Sequence, residues 1–178
     1  MSDGRLSVPV GSDDHVVGPE DARLTMVEYG DYQCPYCGQA FPIVEQLRET
    51  FSDALRFVFR NFPLADMHPH AEAAAEVAEA AGLQGKFWEM HDTLYTNQRH
   101  LEEAALLRYV TDVGADVDQV SKDLASGAPR QRVEADFEGA IRSGANGTPT
   151  FFVNGARYDG SWTYEPFAKH LQDLLDHQ

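Results

Sequence analysis

The two cysteines of this chain, Cys34 and Cys37, are separated by two residues and lie between a strand pattern and a helix pattern. Residues 24–29 are mostly β-branched, aromatic or apolar and contain neither Pro nor Gly, which predicts a strand. Residues 39–48 carry apolar side chains at helical spacing and predict a helix. We therefore expect the pair at a strand-to-helix junction, with Cys34 at the helix start and Cys37 about one turn inside.

This position predicts a reactive thiol. Cysteine reacts as the thiolate, and a helix N-terminus stabilises that anion through unpaired N–H groups and the positive end of the dipole. We expect a lowered pKa for Cys34, within the range of roughly 3.5 to 7.5 that is known for such thiols. Pro35 suits the first helical turn, because the N–H group that it lacks would have no partner there. Cys37 is expected to be more buried and to act as the resolving thiol.

The CxxC spacing is typical of a redox-active dithiol. A purely structural disulfide is a weaker interpretation, since so short a loop constrains little of the unfolded chain. A zinc site is weaker still, because the sequence has no second cysteine pair. We therefore expect no metal, and no cofactor other than the Cys34–Cys37 disulfide itself.

The charge of the chain excludes some partners. Its 178 residues suffice for one packed domain, or for a domain with an insertion. The formal net charge of −15 predicts an acidic surface. Nucleic acids and anionic membranes both require a positive face, so neither is expected to bind.

The N-terminal sequence also bears on the cellular compartment of the protein. The first nine residues have neither a basic start nor an apolar core, so they do not predict a signal peptide. As it stands, the sequence predicts a cytoplasmic protein. A chain trimmed of an export signal or of a preceding membrane-tethered domain would look the same.

The order of the elements predicts an α/β fold with an insertion. Residues 55–62 form a second apolar strand pattern, and a strand–helix–strand order implies parallel strands joined by a right-handed crossover. A series of helix patterns follows, and then a strand that begins after Pro149 and reaches the hairpin signal Asn154-Gly155. The predicted parts are a flexible N-terminal arm (1–18), an α/β domain (19–65 and 129–178) and a helical insertion (66–128). Within the arm, residues 15–18 either form a short edge strand or lie against the core.

Together these motifs resemble those of the DsbA-like thiol–disulfide oxidoreductases, a family with the thioredoxin fold. The resemblance covers about residue 13 to the C-terminus. It implies a mixed central sheet, a helical insertion packed over the site, and a cis proline that faces the first cysteine. The residues that carry it are 27–29, Cys34-Pro35-Tyr36-Cys37, the helical insertion, and 147–151.

Four residues are expected to bind substrate, namely Pro35, Tyr36, Thr148 and Pro149. A cis Pro149 beside the dithiol would expose the Thr148 backbone, which could pair with an extended substrate strand. The residues alone leave open that Pro149 is an ordinary trans turn proline.

Glu28 lies six positions before Cys34, where the resemblance places a buried acid beneath the dithiol. Burial would raise the pKa of this carboxyl and allow it to relay a proton as Cys37 attacks or leaves. The alternative is a partly exposed strand residue without a role. Asp31 is closer in sequence, but we expect it in the loop and rank it below Glu28.

His68 and His70 flank a proline at the start of the helical insertion. Their spacing could suggest a pair of metal ligands. Because no cysteine or carboxylate pattern accompanies them, we favour helix capping and surface packing.

The sequence therefore predicts a protein-disulfide oxidoreductase that acts on protein thiols and disulfides. Pro-Tyr is also the dipeptide between glutaredoxin cysteines, so a cytosolic reductase that works with glutathione is one alternative, although the helical insertion argues against that family. A redox-responsive regulatory or binding domain of a larger membrane protein is another. The redox partner is not specified, and glutathione and a membrane oxidase are both candidates.

Overall fold

The structure is a computed structural model that describes residues 3–178. Its strands are β1 (His15–Val17), β2 (Leu24–Gly30), β3 (Leu55–Asn61), β4 (Thr150–Val153) and β5 (Ala156–Tyr158). They form one sheet in the order β1-β3-β2-β4-β5. β2 and β3 are parallel, as the strand–helix–strand order predicted, and the other neighbouring pairs are antiparallel. The sheet is therefore mixed, and the predicted fold class is confirmed.

The helices of the described residues are α1 (Pro35–Thr50), α2 (Ala71–Gly82), α3 (Phe87–Thr96), α4 (Glu103–Asp112), α5 (Val117–Ser126), α6 (Ala128–Arg142) and α7 (Tyr164–Asp176). α1 connects β2 to β3, and α2 to α6 lie between β3 and β4. The division of the chain at 66 and 128 into a domain and an insertion stays a prediction. No helix among residues 3–178 combines the length and the apolar character that a membrane crossing requires.

The side chains of β2 point alternately to the two faces of the sheet, and this places Glu28 on the face of the dithiol. Met26 belongs to the larger apolar core, which also contains Cys37 of α1. Val27 belongs to a second cluster, which contains Ala140 of α6. Since successive side chains of a strand point to opposite faces, Glu28 lies on the same face as Met26. The acid that the sequence singled out is therefore on the side of the sheet that α1 covers.

The N-terminal arm corrects one prediction. Residues 15–17 form a strand antiparallel to β3, at one edge of the sheet. At the other edge, Leu6 N donates to Gly155 O across 2.9 Å and Arg157 N donates to Gly4 O across 2.8 Å. The segment 3–17 therefore extends from one sheet edge to the other. The expectation of a loosely held arm is wrong for residues 3–14, whereas the strand at 15–17 is one of the two structures predicted there. The Gly, Ser and Asp content of the arm indicated a loop, but composition does not disclose long-range partners.

Arg60 of β3 is the main anchor of the arm. Its guanidinium donates to both carboxylate oxygens of Asp14 at 2.8 and 2.9 Å, and also to Val8 O, Pro9 O and the Tyr29 hydroxyl. The Arg60 side chain is 3% exposed and that of Asp14 is 6% exposed. Burial would raise the pKa of Asp14, but hydrogen bonds from Arg60 and from Gly11 N–H hold it below its ordinary value. This is a buried, fully hydrogen-bonded ion pair.

Candidate active site

The turn between β2 and α1 presents the dithiol. Cys34 is the N-cap residue of α1 and has an extended backbone, with φ −67° and ψ 122°. Pro35 is at the first position of the helix, as predicted. Both thiols are free, and Cys34 is 3% exposed whereas Cys37 is 0% exposed. Cys34 is therefore the sulfur with surface toward solvent, and Cys37 lies beneath it.

The surroundings of Cys34 stabilise its thiolate. The largest contribution is a hydrogen bond from the Cys37 thiol, and burial opposes it. The Thr148 side chain and the N–H groups of Cys37 and Tyr36 add to the stabilisation. Together they lower the pKa of Cys34 from 9.0 to about 5. Cys34 is therefore ionised at neutral pH, in agreement with the prediction from its place at the helix start.

Glu28 is buried in the centre of the sheet. It lies opposite Phe59 on one side and Phe151 on the other, and it is 2% exposed. Burial, and then the charge of Cys34, raise the pKa of Glu28 to about 8. Its Oε1 accepts no hydrogen bond from residues 3–178. The carboxyl is therefore protonated at neutral pH, and a partly exposed Glu28 is ruled out.

Cys37 differs sharply from Cys34. Burial raises the pKa of the Cys37 thiol well above its ordinary value, and the hydrogen bond to Cys34 and the charges of Glu28 and Cys34 raise it further. The pair therefore holds one proton, on Cys37, when Cys34 is a thiolate. The protonated carboxyl of Glu28 holds a second proton beneath the pair.

The Glu28→Gln variant is expected to be more stable than the parent chain at neutral pH. The pKa of Glu28 is about 8 in the folded chain and 4.5 ordinarily, so its protonation favours folding fully below about pH 4.5. That contribution is lost as the pH rises through about 8. At pH 7 the free energy of unfolding is therefore lower by about 3 kcal/mol than it would be with Glu28 protonated in both states. Urea unfolding of the reduced chains should show a small difference near pH 4 and a large one near pH 8; a difference that does not depend on pH would contradict this.

Thr148 and Pro149 face Cys34 from the loop before β4. The Thr148–Pro149 peptide bond is cis. When Cys34 is protonated, its thiol donates to the Thr148 carbonyl oxygen across 3.6 Å. The Thr148 hydroxyl has no other hydrogen-bond partner among residues 3–178, so it is free to donate to the Cys34 thiolate. The carbonyl and the hydroxyl of Thr148 thus both lie within reach of the Cys34 sulfur.

Pro35 and Tyr36 lie on the surface beside Cys34. Tyr36 is 60% exposed, and Met67, in the loop 62–70 after β3, is 71% exposed. The role of Pro35 and Tyr36 in binding substrate stays a prediction.

The two histidines have different surroundings. The His68 Nδ1 is 2.7 Å from Asp31 Oδ2, in the turn before the dithiol. His70 is the N-cap residue of α2, but its side chain makes no capping hydrogen bond. No cluster of His, Cys, Asp and Glu suited to a metal ion occurs among residues 3–178. His68 thus packs against the active-site turn, which sequence reasoning did not anticipate.

Gln98, in the loop between α3 and α4, is a residue that sequence reasoning missed. Its Nε2 donates to Tyr32 O at 2.8 Å and to Cys34 O at 2.9 Å. A Cβ atom at Gly38 would lie 2.0 Å from Gln98 Oε1, so any larger residue there would displace the Gln98 amide. The helical segment is thereby attached to the backbone of the reactive cysteine. Only the glycine just after Cys37 could have suggested a close approach.

Tyr32 and His91 form a second link to the helical segment. The Tyr32 hydroxyl and His91 Nδ1 share a hydrogen bond of 2.9 Å. His91 is packed among aromatic rings, including those of Phe59 and Tyr95. Burial lowers the pKa of His91 to about 3, so the ring is neutral. The active-site turn therefore rests on an apolar cluster contributed by α3.

Comparison with known proteins identifies the family. The sequence model of the family described as Thioredoxin matches residues 11–173. The chain belongs to the thioredoxin family. A thioredoxin-like oxidoreductase from Silicibacter pomeroyi is 30% identical, with a TM-score of 0.80 over 94% of this chain and 92% of that one. Oxidised BdbD from Bacillus subtilis has the same fold, with a TM-score of 0.84 and 22% identity over 98% of each chain. The fold of this thioredoxin-family chain is therefore that of these two proteins over almost their full length.

The curated relatives of this thioredoxin-family chain are longer proteins. Na⁺/H⁺ antiporter NhaA 1 of Salinispora arenicola is 51% identical over 161 residues, which are 90% of this chain and 24% of that protein. Na⁺/H⁺ antiporter NhaA 1 of Mycolicibacterium gilvum is 45% identical over 161 residues, 89% of this chain and 26% of that protein. The chain thus spans about a quarter of the length of these relatives.

Proposed function

We propose that this chain is a thiol–disulfide oxidoreductase that exchanges a Cys34–Cys37 disulfide with protein thiols. The observation that carries the proposal is the asymmetry of the pair. The pKa of Cys34 is lowered to about 5 at a helix N-terminus, whereas burial raises that of Cys37. Such asymmetry makes one sulfur an anion that attacks or leaves readily and keeps the other in reserve.

In the oxidising direction, a substrate thiolate attacks Cys34 of the disulfide, and Cys37 leaves and takes up a proton. We propose that Glu28 supplies this proton, since its carboxyl is buried and protonated at neutral pH. A second substrate thiolate then attacks the substrate sulfur of the mixed disulfide and releases Cys34 as a thiolate. The substrate loses two electrons and gains a disulfide, and the chain gains a dithiol.

In the reducing direction the same steps run backwards. The Cys34 thiolate attacks a substrate disulfide, and Cys37 resolves the mixed disulfide after giving up its proton. We propose that Thr148, Pro149, Pro35 and Tyr36 hold the substrate during both reactions. No cofactor other than the dithiol is required for either direction.

The proposal is tested by mixing the oxidised chain with a reduced peptide that contains two cysteines. Mass spectrometry should show a peptide disulfide and a reduced chain in equal amounts, at a rate well above that with oxidised glutathione. Reduction of insulin by the reduced chain tests the opposite direction. A rate no higher than that of glutathione in both assays would contradict the proposal.

A second function, from a different class, is suggested by the relatives. The chain is about half identical to a quarter-length portion of a protein named as a Na⁺/H⁺ antiporter. We propose as the alternative that the dithiol is a redox-responsive element of a larger transport protein, whose state changes a contact with the transporter. Catalytic turnover by the isolated chain would favour the oxidoreductase. A stable disulfide without turnover, whose formation changes binding to a transporter, would favour the regulator.

The physiological redox partner is proposed to be either glutathione or a membrane oxidase, and the compartment to be the cytoplasm. A glutathione-linked reductase would be recognised by turnover that depends on reduced glutathione, and a partner of a membrane oxidase by reoxidation in membrane extracts. Function as a reductase in the cytoplasm would require a reduction potential of the Cys34–Cys37 pair low enough for it to donate electrons there.

A further inference from the structure

Asp31 joins the active-site turn to the loop 62–70. Its side chain is 0% exposed. Oδ1 accepts from Gln33 N at 2.8 Å and from Cys34 N at 3.1 Å. Oδ2 accepts from Leu64 N at 2.9 Å and from His68 Nδ1 at 2.7 Å. One buried carboxylate therefore holds the backbone of the reactive cysteine and a loop some 30 residues away in sequence.

The proton on His68 is fixed by this arrangement. A carboxylate oxygen only accepts, so the Nδ1 of His68 must donate to Asp31. The His68 side chain is 14% exposed, and no other side chain among residues 3–178 donates to this carboxylate. The other three donors are backbone N–H groups, which hold the turn and the loop in place. A substitution at His68 can therefore remove one donor and leave the fold of the active-site turn and of the loop 62–70 unchanged.

The same carboxylate accepts from Cys34 N across 3.1 Å, so its negative charge lies close to the residue whose sulfur must become an anion. A like charge nearby disfavours ionisation, and hydrogen bonds to the carboxylate offset its charge. Asp31 thus has two opposing effects: it orders the Cys34 backbone, and it makes the thiolate less stable. His68 reduces the second effect without disturbing the first.

We propose that Asp31 and His68 are a positioning pair, in which Asp31 fixes the Cys34 turn and His68 limits the electrostatic cost of that carboxylate for the Cys34 thiolate. The proposal builds on the proposed function only in taking Cys34 as the reactive sulfur. It assigns to the loop 62–70 an influence on the dithiol, because the loop carries His68.

The pair predicts shifts of opposite sign in the pKa of Cys34. Asp31→Asn keeps an acceptor for Gln33 N and Cys34 N but removes the charge, so the pKa should fall by about one unit. His68→Ala leaves the carboxylate with one donor fewer, so the pKa should rise by a few tenths to about one unit. His68→Asn, which offers an N–H near the place of Nδ1, should restore most of the original value. In the Asp31→Asn background, His68→Ala should have little further effect.

The measurement is the rate of alkylation of Cys34 by iodoacetamide as a function of pH, with folding checked by circular dichroism. Cys37 and Glu28 are unchanged in every variant. His70→Ala is the matched control, because the exposed His70 side chain forms no hydrogen bond with the turn among residues 3–178, whereas its backbone N–H donates to Gln33 Oε1. This variant should leave the pKa of Cys34 unchanged.

Shifts of the same sign in the Asp31 and His68 variants would overturn the proposal, and so would no shift in either. If Asp31→Asn does not fold, the comparison of His68→Ala with His68→Asn decides alone, and equal pKa values in the two would overturn it. Alkylation requires no exchange activity. A chain with the expected shifts but without turnover would therefore refute the proposed function and support the positioning pair.

Discussion

Replacing Cys34 with Ser is expected to abolish disulfide exchange in both directions. Serine has no accessible anion at neutral pH, whereas the pKa of Cys34 is about 5. Because the chain has only two cysteines, no other thiol can take over the attack. Rates of insulin reduction and of peptide oxidation should fall to those without protein.

Cys37→Ser is the matched variant, and it should behave differently. Cys34 keeps its helix N-terminus and the donors from Thr148 and Tyr36, so it still attacks a substrate disulfide. Without Cys37 the mixed disulfide has no internal thiol to resolve it and should accumulate. Non-reducing electrophoresis and mass spectrometry would detect the adduct. Turnover by Cys34→Ser, or the absence of adducts with Cys37→Ser, would contradict the assigned roles.

The second large effect is expected on stability, from Arg60→Met. This change removes both short hydrogen bonds from Arg60 to the buried Asp14 carboxylate and leaves Arg132, 3.5 Å from Oδ1 and 24% exposed, as its remaining cation. Removing one partner of a buried ion pair typically costs about 3–5 kcal/mol. It also removes the donors that hold Val8 O and Pro9 O. We expect a fall of that size in the free energy of unfolding of the reduced chain, measured in urea at neutral pH. The arm should also become more susceptible to proteolysis.

The control for this variant is Arg130→Met. Arg130 pairs with Glu134 on the surface, where the two side chains are 72% and 60% exposed, so its loss should cost no more than about 0.5 kcal/mol. The double variant Asp14→Leu/Arg60→Met should lose less than the sum of the two single variants, because no unpaired charge stays buried. A cost below about 1 kcal/mol for Arg60→Met would show that the pair does not anchor the arm.

The elements next to the dithiol could be predicted because their signals are local. The apolar strand 24–29, the proline at position 35 and the cysteine spacing all lie within a short segment, and they specify a strand, an N-cap and a helix. The Asn154-Gly155 hairpin is similar, since both residues adopt positive φ values, 49° and 81°. In such segments local preference and tertiary structure agree.

The contacts that complete the site could not be predicted in this way. Gln98 lies 64 residues from Cys34 and His68 lies 37 residues from Asp31, so no periodicity connects them. The same holds for Arg60, whose charge in an apolar strand signals a buried partner but does not identify Asp14. The resemblance to DsbA-like proteins supplied Glu28 and Thr148, which sequence patterns alone would not have distinguished from ordinary strand and loop residues.

The central claim is that Cys34 is an activated thiolate, and its pKa tests that claim most directly. The pKa is best measured together with the reduction potential of the Cys34–Cys37 pair in glutathione buffers. We predict a pKa near 5 and a potential between the values of about −270 mV and −120 mV that bound thioredoxin and DsbA. A pKa near 9.0, the ordinary value of the thiol, would contradict the account, because the helix N-terminus, Thr148 and Cys37 would then not stabilise the anion.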